Sequence, residues 1–131
     1  MDTLKEIITV SGILFGFLFA GFWWSLNREL TFPPAQRHFK PSYAMLLLSM
    51  LLLAIFGIIQ PLYALVVNNP ELINSFRGII LALLLVFGYM LTEFGHYYIH
   101  QPPKYVTASE KILLALTIIA IIGLLTYWLA N

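Results

Sequence analysis

Residues 43–67 read YAMLLLSMLLLAIFGIIQPLYALVV, twenty-five positions without a formal charge, broken only at Gln60-Pro61. A helix rises about 1.5 Å per residue and a bilayer's hydrocarbon core is about 30 Å thick, so roughly 20 such residues cross it. Three more runs meet that requirement: Ile7–Leu26, Gly78–Ile99, in which Glu93 and His96 are the exceptions, and Ile112–Ala130. Neither the alternation of a membrane β-barrel nor the one-sided stripe of a soluble helix fits them. The expected fold is an all-α integral membrane protein, a bundle of four transmembrane helices forming two helical hairpins with short loops. All 131 residues make a single transmembrane domain.

Composition agrees. Of the residues, 60% are hydrophobic and 10% charged, and mean hydropathy is +0.87. A soluble domain is nearer half apolar and a quarter charged. The net charge of +1 supplies no basic face, so nucleic acid is excluded as a partner and the lipid bilayer takes its place. The absence of cysteine excludes disulfides, thiol catalysis, Cys-ligated zinc and iron–sulfur clusters.

Punctuation marks the joints. Pro41 falls where the second helix should start; Asn69-Pro70-Glu71 reads as an N-cap, a first-position proline and a first-turn acid. Thr107-Ala108-Ser109-Glu110 is a capping box for the fourth helix. Pro33-Pro34 and Pro102-Pro103 interrupt the chain between spans, and Pro61 is expected to kink the second one. The leader Met1–Glu6 is not basic and no small-x-small cleavage site follows, so the first span should stay attached. Arg28, Arg37, Lys40, Lys104 and Lys111 lie on the first and third connections, against Lys5 and Arg77 on the other side. Five against two places loops 27–42 and 100–111 in the cytoplasm and both ends of the chain opposite. Trp23-Trp24 and Tyr97-Tyr98 then sit at that boundary.

Gly12, Gly16 and Ala20 form a stripe of small residues four apart on the first helix, the pattern that lets helices approach closely in lipid. The expectation is packing within the bundle, with Gly88 and Gly95 of the third helix as the facing stripe; the sharper alternative is a docking seam for another subunit.

Chemistry gathers at the end of the third span. Glu93, His96 and His100, three and four apart, share one face, and Tyr89 extends it into the bilayer. Ionisable groups inside a span are costly and are functional candidates by default. One or two axial imidazoles suffice for haem or chlorophyll, and His96, Glu93 or a tyrosine can hydrogen-bond a quinone headgroup. His96 and His100, with His38 from the first connection, are the candidate metal ligands. The competing reading leaves the histidines as interfacial residues and lets Glu93 snorkel or pair with Arg28. Soluble-enzyme motifs are missing: no phosphate-cradling glycine loop, nucleophile elbow or H-E-x-x-H. The sequence therefore favours a small non-enzymatic accessory, structural or assembly subunit of a larger, energy-converting membrane complex, or a homo-oligomer. A haem-, chlorophyll- or quinone-binding redox protein and a small transporter or channel are the alternatives.

Overall fold

The computed structural model describes residues 2–37, 39–67, 73–95 and 108–130. Four helices among them are long and apolar enough to cross a membrane: α1 (Asp2–Leu30), α2 (Pro41–Val67), α3 (Ile73–Phe94) and α4 (Ala108–Ala130). Pro41 opens α2, where its fixed φ suits the first turn and no amide donor is missed. After α1 the chain makes a single 3₁₀ turn, Pro34–Gln36, in the first connection. The segments containing Asn69-Pro70-Glu71, Thr107 and Pro102-Pro103 lie outside the described residues.

Pro61 lacks the amide that an α-helix would use to bond the carbonyl four residues earlier. The helix stays continuous by widening instead: Leu53–Ile59 is π-helical, and the Gln60 amide bonds back to the Ile55 carbonyl, five residues away.

The helices run up and down. Ser11 of α1 meets Gly57 of α2, whereas Ser25 and Arg28 at the other end of α1 meet Tyr89 and Glu93 of α3. The largest interface joins α2 to α3, the two middle helices, across the two expected hairpins rather than within either. α1 leans on α2, α4 leans on α3, and α1 and α4 share no substantial contact. In the most apolar stretch of each helix, 44% of α2 and 33% of α3 is buried, but only 6% of α1 and of α4. The bundle is a row with two open flanks.

Its inner seams combine small and polar residues with large apolar side chains of α2, Leu46 and Leu53 the most buried of them. On α3 the buried face is Ser75, Gly78, Ala82, Leu85, Gly88, Thr92 and Gly95, at helical three-and-four spacing. On α1 it is Leu4, Ser11, Ser25 and Glu29. Three of the buried hydroxyls bond to their own helix: Ser49 Oγ donates to the Leu46 carbonyl (2.7 Å), Thr92 to Gly88 (2.9 Å) and Thr117 to Leu113 (2.9 Å). Many other large apolar side chains stand outside, with Phe17 72% exposed and Val66 80%.

The glycine stripe of α1 is not where the sequence suggested. Gly12, Gly16 and Ala20 are exposed, and a Cβ added at either glycine would meet nothing within 4 Å. The inner seam of α1 lies one residue round, at the seven-residue spacing of Leu4, Ser11 and Ser25. Close approach occurs at Ser11–Gly57, where a Cβ on the glycine would lie 2.6 Å from Ser11 Cβ. Gly88 is buried as a packing residue should be, but against Thr117 of α4 and Met45 of α2, whose side-chain atoms would lie 2.6 and 2.9 Å from its Cβ. It does not face α1's glycines.

Candidate functional site: a charge cluster at one end of the bundle

Ser25, Arg28 and Glu29 are three and four residues apart, so they share the inner face of α1's last turns. Lys40 precedes α2 with extended backbone, and Ser42 and Tyr43 occupy α2's first turn. Glu93 and Tyr89, four apart, come from the last turns of α3. Three helix ends therefore deliver eight polar side chains, Tyr89 among them, to one place.

Glu93 is held by two helices at once. Arg28 Nη2 donates to its Oε2 at 2.5 Å and Ser42 Oγ to its Oε1 at 2.7 Å. Glu29, buried in the same end, accepts at Oε1 from Tyr43 OH (2.8 Å) and from Lys40 Nζ (3.2 Å). Tyr43 OH also lies 3.5 Å from Arg28 Nη2, linking the two ion pairs. Ser25 Oγ and Tyr89 OH are 2.7 Å apart, one turn deeper. The Arg28 guanidinium also lies 5.0 Å from the Trp24 ring centroid, a cation–π distance.

Two carboxylates face two cations, so the cluster's formal charges cancel. Desolvating an ion is expensive, and such a pair persists only where hydrogen bonds satisfy the remaining lone pairs. Ser42 and Tyr43 do this for Glu93 and Glu29. The arrangement ties α1, α2 and α3 together at one end. It also forms a continuous run of hydrogen-bonding groups from Lys40 through Glu29, Tyr43, Arg28 and Glu93 to Ser42.

The expected pairing of Glu93 with Arg28 is present. Tyr89 is engaged with Ser25 rather than standing free for a ligand. His38, His96 and His100, on which the haem, chlorophyll, quinone and metal readings rest, lie outside the described residues. Among the described residues no group of three or more metal-ligating side chains comes together. Glu29, Ser42 and Tyr43 were missed as site residues. Their signal was positional: an Arg28-Glu29 dipeptide closing one span faces Lys40-x-Ser42-Tyr43 opening the next, across a short connection.

Fold and cluster together define an all-α chain of four membrane-length helices, three of them tied by charge at one end. No family model, curated protein or solved structure matches the chain.

Proposed function

We propose that this chain is a four-span integral membrane protein acting as a non-enzymatic subunit of a larger membrane complex, with the outer face of α1 as its docking seam. The observation that carries this reading is the open glycine stripe: Gly12 and Gly16 are exposed, with nothing in the chain within 4 Å of where a side chain would begin. Close helix approach in lipid needs small residues, and this stripe is left unused by the chain's own bundle. The sparse burial of α1 and α4 supports it too, since such flanks leave large areas for lipid or other helices. Large apolar side chains such as Phe17, Trp24 and Val66 stand on the outer surface, where lipid solvates them, and serines and threonines are buried among the helices. The charge cluster ties α1 to α2 and α3 at one end of the bundle. An energy-converting host is the preferred setting.

Exchanging Gly16 for leucine should leave helical content and monomer stability within about 0.5 kcal/mol of wild type, because the position is open. It should release the chain from its high-mass assembly in native electrophoresis after gentle detergent extraction. A wild-type chain that migrates alone under those conditions would end the subunit reading.

The charge bias of the connections supports a cytoplasmic position for loops 27–42 and 100–111. Cysteine introduced at Ser109 should then resist an external impermeant maleimide in intact cells, and cysteine at Asn69 should react. The opposite labelling pattern would invert the orientation.

A further inference from the structure

A cleft of about 290 Å³ opens at the end of the bundle away from the charge cluster, between α2, α3 and α4. That is about the volume of ten waters, enough for one segment of a chain-like ligand but not for a whole lipid. Its walls are graded. Arg77, in the second turn of α3, and Trp128, near the end of α4, stand at the mouth. Gln60 comes next, and Phe56, Leu81 and Leu125 lie about one turn deeper along their helices. Phe56 rests directly on Gly78, where any Cβ would collide with its ring, so glycine is what allows α3 to come this close.

Two polar groups at this cleft are incompletely used. The Arg77 guanidinium lies 5.5 Å from the Trp128 ring centroid, and no described carboxylate is within ion-pair distance of it. Gln60 Oε1 is buried with no hydrogen-bond partner. An unbonded buried amide atom costs about 1–3 kcal/mol, and the amide's oxygen and nitrogen exchange places by a half-turn of the terminal torsion.

We propose that this cleft binds a phospholipid of net negative charge, resting on the membrane-spanning reading above. The lipid's phosphate is held by Arg77, its ester region by the Gln60 amide, and the first part of one acyl chain runs over Phe56, Leu81 and Leu125. A guanidinium fork matches phosphate geometry and is weakly hydrated, so it suits an interfacial site. The sequence of cation, amide and hydrocarbon from mouth to floor follows the order of phosphate, ester and chain in a glycerophospholipid. Trp128's face is the surface that would attract a quaternary ammonium, but Arg77 already covers it. A choline headgroup therefore finds a like charge there, whereas phosphatidylglycerol does not.

Native mass spectrometry of the delipidated full chain in detergent, titrated with phosphatidylglycerol, phosphatidylcholine and oleate, tests this. Phosphatidylglycerol should be retained about ten-fold better than phosphatidylcholine, whose phosphate is the same but whose choline cation meets the like charge of Arg77. Arg77→Gln should remove that preference. Leu81→Trp, which fills the floor and leaves Arg77 intact, should abolish retention of all three, with helical content checked by circular dichroism. Equal retention of the two phospholipids by wild type overturns the proposal, whatever the variants do. So does oleate binding as tightly as phosphatidylglycerol, or undiminished phosphatidylglycerol binding by Leu81→Trp. Failure of the membrane reading looks different: the chain would then stay soluble without detergent.

Discussion

Replacing Glu93 with alanine should destabilise the folded chain by about 3 kcal/mol, the lower end of the range for breaking a largely desolvated ion pair. The side chains of Arg28 and Glu93 are only 22% and 12% exposed, so Arg28 would be left with a charge that solvent reaches poorly. Ser42 would lose the acceptor for its hydroxyl as well. Most of the loss is the cost of the abandoned arginine and not the worth of the pair. The paired change Arg28→Met with Glu93→Leu should therefore recover at least half of the stability lost in Glu93→Ala. Unfolding in detergent micelles, followed by circular dichroism, measures all three variants in one series. A loss under about 0.5 kcal/mol for Glu93→Ala would mean that the cluster does not hold the three helices together.

The second large effect is expected where a methyl group has no room. Gly57→Ala places a Cβ 2.6 Å from Ser11 Cβ, closer than real side chains come, so α1 and α2 must separate or twist. Forced overpacking of this kind typically costs about 1–3 kcal/mol. Ser11→Gly in the same chain should recover most of it, since that removes the colliding atoms. Gly16→Ala is the matched control: it adds the same methyl to open space and should shift stability by no more than a few tenths of a kcal/mol, in the favourable direction for a helix interior. Equal penalties at Gly57 and Gly16 would contradict the placement of α1's inner seam.

The Gly57 and Gly16 contrast shows where reading the chain by residue type reached its limit. Small residues at helical spacing were the right signal for close packing in an apolar solvent, and Gly12, Gly16 and Ala20 display it plainly. The seam that packs, Leu4, Ser11 and Ser25, carries the same kind of signal in serine form, one position further round the helix. Periodicity does not choose between two small-residue stripes on one helix. The chosen one is that which finds a partner glycine, and Gly57 lies in a π-helical stretch whose register follows from Pro61. The charge cluster was half legible. Glu93 and Arg28 stood out because ionisable groups at span ends need partners, and their meeting follows from α1 and α3 running parallel. Glu29, Ser42 and Tyr43 looked like ordinary boundary residues until the short connection folded α2's first turn against α1's last.

What the sequence determined by itself is the all-α fold and the number of long apolar helices. Each helix bonds its own backbone and needs only a long enough apolar run to be stable in lipid, so this information is local and can be counted along the chain. Only the tertiary structure decided which face of each helix turns inward, that α2 and α3 form the core while α1 and α4 lean on its flanks, and that Lys40, Glu29, Tyr43, Arg28, Glu93 and Ser42 join into one network. The physical reason is that hydrophobicity does not sort the faces of a helix that is apolar all round. Rotation about each axis is left to steric fit between small residues and to the pairing of a few charges, and both depend on which neighbour arrives.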